Sequence, residues 1–184
     1  MKRRRLPLII MTIAFIALVG ITALFPPPTA PIFPTPTGTV VVPFYRVFPE
    51  LSVFDIAAIR LRSPETNRVF TIARNAEGVW QAVSPSGTLE EGAGSALART
   101  ISLLPYTSIT EAGAALETYG FTPEGILSVE IVLIDGSGHA VAIGYRTPTA
   151  AGYYAFVDED PALYILDRAP IDYLISLLRD PPIA

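Results

Sequence analysis

The sequence predicts an α+β protein, an N-terminal transmembrane helix followed by a single domain of two repeated antiparallel-sheet-plus-helix units. Three observations lead there. A charge-free apolar run, Leu6 to Phe25, sits between a basic cluster and a polyproline stop; short alternating apolar runs broken by turn residues fill the chain beyond it; and the order strand, strand, strand, helix can be read twice.

The apolar run comes first. About twenty residues at about 1.5 Å each span the hydrocarbon core of a bilayer. Pro7 falls in the first turn, where a missing N–H does little harm, and Pro26 to Pro28 stop the helix. Lys2, Arg3, Arg4 and Arg5 favour retention in the cytoplasm, so the expected topology is single-pass, N-terminus inside and C-terminal domain outside the cytoplasmic membrane. A cleaved secretory signal is the rival. The run is longer than the usual apolar region of a signal, and Leu24-Phe25-Pro26-Pro27 lacks a small-x-small site, so an uncleaved signal-anchor is expected, with the lipid bilayer as the partner of Leu6 to Phe25.

Residues 1–25 are thus the basic end and anchor, and 26–45 a stalk. Prolines at 26, 27, 28, 31, 34, 36 and 43 favour extended polyproline II, which holds the rest up to about 50 Å off the membrane. Residues 46–180 remain for one extracytoplasmic domain, with internal repeats at about 53–109 and 127–178.

In the first repeat, Ile56 to Leu61 and Arg68 to Arg74 form a hairpin about Ser63-Pro64-Glu65-Thr66-Asn67, and Val79 to Val83 a third strand with Trp80 as a core residue. Gly94 to Leu104 spaces Leu97, Ile101 and Leu104 as a helix, with Ser95 as N-cap. Glu111 to Tyr119 is a short helix ending at Gly120. In the second repeat, Leu127 to Ile134 turns through Asp135-Gly136-Ser137-Gly138 into His139 to Tyr145. Tyr153 to Val157 and Ala162 to Leu166 follow, and then a helix from Asp167 or Pro170 through Leu178, with Ile171, Leu174, Ile175 and Leu178 on one face.

The segment around residue 120 carries a resemblance. Leu116, Tyr119, Gly120, Phe121 and Pro123 form a "YGL-x-P" type motif, with phenylalanine in place of the more typical leucine, followed by Asp135-Gly136, Ile143-Gly144, Tyr153-Tyr154 and Leu163-Tyr164-Ile165. Upstream, Asp55-Ile56, Ile59 and Gly78-Val79-Trp80 fit the same pattern. From about Phe48 to Leu178 the chain resembles the bacterial DUF4340 domain family, a domain of unknown function. The resemblance implies a membrane-attached extracytoplasmic α+β module with no described activity, encoded near ABC-type export or gliding-motility transporter components and accessory to such an assembly.

Composition narrows the function classes. The chain has 184 residues, a net charge of −4 and no cysteine. The basic cluster lies in the first five residues and every carboxylate from Glu50 onward, so the domain is acidic and no nucleic-acid partner is expected. Thiolate chemistry and cysteine-held metals are excluded.

His139 follows a turn and has Ser137, Ser128 and Asp135 within reach in sequence, but no nucleophile-elbow context surrounds them. Asp158, Glu159 and Asp160 lack the alternating spacing of a calcium loop and suit a solvated turn. No catalytic residue, cofactor or metal ligand set is expected. A partner surface is expected at Tyr145, Arg146, Tyr153 and Tyr154, because adjacent tyrosines in a strand face opposite ways and the loop 146–152 reads as open.

The expected function is therefore a membrane-anchored, non-catalytic interaction or accessory module within a larger membrane complex. The alternative is an extracytoplasmic enzyme or ligand-binding protein acting on envelope material. Deleting Lys2 to Arg5 is expected to reduce the fraction of chains with the domain outside, measured by protease accessibility of sealed vesicles, and to leave the domain's melting temperature unchanged.

Overall fold

A computed structural model describes residues 45–122 and 124–184. The expected anchor, Leu6 to Phe25, and the stalk up to Phe44 lie outside the described residues; among those described, no helix is long and apolar enough to cross a membrane.

The described chain forms one ten-stranded sheet with every pairing antiparallel, and two α-helices. The strands are β1 (Tyr45–Arg46), β2 (Ile56–Ser63), β3 (Arg68–Arg74), β4 (Trp80–Ser84), β5 (Ser86–Gly87), β6 (Pro105–Thr110), β7 (Leu127–Leu133), β8 (Gly138–Arg146), β9 (Gly152–Val157) and β10 (Leu163–Asp167). Helix α1 (Ala93–Ser102) lies between β5 and β6, and α2 (Arg168–Arg179) follows β10. The spatial order is β1-β6-β10-β9-β8-β7-β2-β3-β4-β5.

This corrects the expectation of two repeated sheet-plus-helix units. Two findings overturn it. The halves are joined into one sheet by a β2–β7 ladder running from Ile56↔Leu133 to Arg62↔Ser128, and β6 leaves the first half to pair with β10 in the second. Nor does each helix close its own sheet, because α2 packs on β2 and β3 as well as on β9 and β10. Counting strands per segment could not reveal this, since the exposed row Thr107, Ser108, Ile109 and Thr110 carries no inward alternation and does not look like a strand.

The core occupies one face of the sheet. Ile59, Leu61, Phe70, Ile72, Leu127, Val129, Ile131, Val141 and Ile143 are buried there, and the register sets Leu61 opposite both Phe70 and Val129, and Ile59 opposite both Ile72 and Ile131. In β2 the spacing widens from Ile56 to Ile59 because a bulge between Ile56 and Ala58 restores the inward direction. Leu97, Ala98 and Ile101 of α1 and Ile171, Leu174, Leu177 and Leu178 of α2 complete the layer. Each fully buried Leu or Ile contributes about 1.5–3 kcal/mol relative to exposure. Asp167 caps α2 by accepting from Ala169 N at 2.9 Å, as the sequence suggests. Helix α1 begins instead after Gly92, one turn ahead of the Ser95 cap expected from sequence.

Among the described residues, the segment before β7 covers part of the opposite face, near β8 and β9. A 3-10 turn, Leu116–Tyr119, ends at Gly120 in the left-handed conformation (φ 90°), and the chain then lays Tyr119 against Tyr154 (4.9 Å between centroids) and Phe121 against Phe156 (4.8 Å). The rest of the expected helix Glu111 to Tyr119 is irregular. Gly144 of β8 permits the close approach, since a Cβ there would lie 2.1 Å from the Tyr119 carbonyl oxygen and 3.0 Å from the Phe121 ring. Gly144→Ala is expected to push this segment off the sheet and cost about 1–3 kcal/mol, read as a lowered melting temperature, with near-UV circular dichroism of the tyrosines changed in parallel.

Candidate functional site

Among the described residues, an open groove of about 820 Å³ lies between the residues just before β2, the β3–β4 turn and the length of α1. Its floor is built around Arg74. The guanidinium donates to three carbonyls, Ile56 O (3.0 Å), Val53 O (3.1 Å) and Gly78 O (3.2 Å), and lies 4.5 Å over the Trp80 ring. It thereby ties the stretch Val53 to Ile56 to the β3–β4 turn. The β3–β4 turn is held from within, because Asn75 Oδ1 accepts from Glu77 N and Val79 N.

Above this floor the walls are apolar and exposed. Ser52 and Asp55 form a capping box across a 3-10 turn, Val53–Asp55, which holds Phe54 at 79% exposure. Val79 (58% exposed) and Leu103 (38%) line the same groove. Gly94 lets α1 settle against Trp80, since a Cβ there would meet Trp80 Cβ at 2.4 Å. Trp80 is therefore a half-buried wall residue, where the sequence suggests a core one. Glu90, Glu91 and Arg99 stand exposed around the groove, with no salt-bridge partner among the described residues.

The residues expected to form a partner surface are spread over three environments. Tyr145 is 54% exposed beside Gly120. Tyr153 is buried on the helix face, whereas Tyr154 lies on the other face against Tyr119, so the strand sends them opposite ways. Arg146 donates to Tyr153 Oη (2.8 Å) and Asp172 Oδ1 (3.0 Å), while Tyr153 Oη donates to Asp172 (2.6 Å) and Arg168 Nε to its other oxygen (2.8 Å). In the loop 146–152, Pro148 to Ala151 are exposed, while Thr147 is buried and its N–H reaches Gly152 O at 2.9 Å.

His139 lies between two smaller clefts of about 470 and 310 Å³. Its Nδ1 is 2.8 Å from Asp158 Oδ2, and a carboxylate only accepts, so Nδ1 carries the proton of this bond. Asp158 also accepts from Ala140 N (2.7 Å). Phe48 packs on the imidazole at 4.5 Å between centroids. Ser137 and Asp135 bond to one another rather than to His139. Asp160 is occupied by Ala162 N and the Tyr164 hydroxyl, which helps to push that phenol up to about 12, after the larger effect of its burial. The acidic turn thus spends its oxygens on its own chain. Among the described residues, no group of three or more His, Asp or Glu could hold a metal ion.

Phe54 and Arg74 were missed by sequence reasoning. The Ser52-x-x-Asp55 spacing is a helix-start signature that could have located the turn presenting Phe54, but nothing local marks Arg74, whose partners are backbone carbonyls. Compared with protein-family models, curated proteins and solved structures, the chain matches none. No family model thus supports the resemblance to the DUF4340 family.

The Asp172 carboxyl is held below the usual carboxylate range, first by the Tyr153 hydroxyl and then by Arg168. With a folded value below the unfolded one, its stabilisation is present at neutral pH and is lost as pH falls through the folded value. Asp172→Asn is expected to lower the melting temperature at pH 7 and to narrow the gap to wild type as the buffer is taken below about pH 4.

Proposed function

We propose that this protein is a membrane-anchored, non-catalytic interaction module, displayed outside the cytoplasmic membrane as an accessory component of a larger assembly. The observation that carries the reading is Phe54. A large apolar side chain is held in solvent by a capping box, at the rim of a groove whose floor is fixed by Arg74 and whose other walls include Val79 and Leu103. Rigid aromatic residues beside a preformed apolar groove suit protein contacts, because little side-chain freedom is lost on binding. The basic cluster Lys2 to Arg5 and the apolar run Leu6 to Phe25 support anchoring with the domain outside.

A second reading, an extracytoplasmic enzyme or ligand-binding protein acting on envelope material, is favoured by one observation, the His139–Asp158 pair beside two clefts.

A photoreactive amino acid at position 54 of the full-length chain is expected to give protein adducts in native membranes, with none from the same residue at position 65. Absence of adducts at 54 would count against the interaction module. Specific labelling of the His139 clefts by envelope fragments, lost in His139→Ala, would favour the second reading.

A further inference from the structure

The outer surface of α1 is a ridge between two grooves. On one side lies the groove of Phe54, Val79 and Trp80; on the other, a groove of about 460 Å³ walled by Pro105, Pro170 and Tyr173. The crest is low in its first turns, where the exposed residues are Ser95 and Ala96, and rises at Arg99 and Leu103, which line both grooves. Small residues at that point let a second helix approach closely, because the side chains at the contact set the interaxial distance.

The charges select which helix. Glu90 and Glu91 precede the N-terminus of α1, and Arg99 lies in its last turn, about 9 Å along the axis from Ala93 at about 1.5 Å per residue. None of the three has a salt-bridge partner among the described residues. A half-turn about an axis near Ser95 and Ala96 carries the Arg99 end of one α1 onto the Glu90–Glu91 end of another. It also opposes the two helix dipoles and brings each Phe54 towards the other copy's groove.

We infer that the α1 face, with Glu90 and Glu91 at one end, Arg99 at the other and Phe54 at the rim, is a two-fold interface on which a second copy of this chain docks with its α1 antiparallel. The inference rests on the interaction reading above and supplies the partner. The pairing is isologous, so each contact is made twice and the assembly closes at two copies. The exposed charges set register, and the apolar groove supplies the larger part of the buried area.

The same symmetry provides a test that misfolding cannot imitate. Arg99→Glu sets acid against acid at both ends, and the double variant Glu90→Arg, Glu91→Arg sets base against base. An equimolar mixture of the two chains restores both pairs. By sedimentation equilibrium of the full chain in detergent, wild type is expected to be dimeric, each variant alone to associate at least about tenfold more weakly, and the mixture to recover the wild-type mass. The chain has no cysteine of its own, so Ala96→Cys in native membranes is expected to cross-link to a disulfide dimer, while Glu65→Cys, on the β2–β3 turn, does not.

A wild-type chain monomeric at high micromolar concentration, variants that remain dimeric, a mixture that stays monomeric, or failure of Ala96→Cys to cross-link would each overturn the inference. If wild type is monomeric while position 54 still yields adducts with another protein, the second copy is wrong and the interaction module stands.

Discussion

The antiparallel ladder between β2 and β7 is the contact on which everything else depends. It joins two runs of hairpins that would otherwise each expose an unpaired edge, and it places Ile59 beside Ile131 and Leu61 beside Val129 at the middle of the core. Once that seam is closed, the sheet is ten strands wide, and its buried apolar rows run through β2, β3 and β7 to β10. Two helices must shelter it. Helix α2 crosses the seam and touches strands on both sides, while α1 lies nearest β4 and the Val53–Asp55 turn and buries Leu97, Ala98 and Ile101 in the same core. The groove lies at this margin, where the helical cover thins and the sheet continues.

Arg74 then takes up what regular structure leaves undone. Two of the carbonyls it collects belong to the start of β2 and the turn before it, and the third to the β3–β4 turn. A cation with five donors in one plane can satisfy acceptors from several segments at once, and the Trp80 face shields it from water. The exposed pairs Arg60–Glu130 and Arg62–Glu124 on the other face are different in kind. They bridge neighbouring segments in solvent and contribute little to stability.

Much of the secondary structure was legible because burial wrote a period into it. Leu127, Val129 and Ile131 alternate along β7, and Ile171, Leu174 and Leu178 mark the inner face of α2. The opposite directions of Tyr153 and Tyr154 followed from strand geometry alone. What escaped was long-range or edge-placed. Nothing in Pro105 to Thr110 announces that it pairs with β10, because an edge strand exposed along most of its length has no inward row. Nor does repeated strand order reveal whether two sheets stay apart or merge, since that choice lies in the β2–β7 register. What the sequence does not show is where each of the four residues expected to share a surface goes: the hydrogen bonds of Arg146 draw it to Tyr153 and Asp172 on the helix side, while Tyr154 packs on Tyr119 on the other. Phe54 escaped for the opposite reason: a lone aromatic residue reads as core until the turn holding it outward is seen.

The two ends of the described chain sit at opposite margins of the sheet. Tyr45 enters in β1, the outermost strand on one side, while Ile183 and Ala184 pair with Leu89 and Thr88 beside β5, the outermost strand on the other. Nine steps of about 4.8 Å separate those strands, roughly 40 Å measured along the sheet. Each open edge of the sheet is thus a strand of two residues next to a terminal segment, which leaves little unpaired backbone for another chain's strand to join.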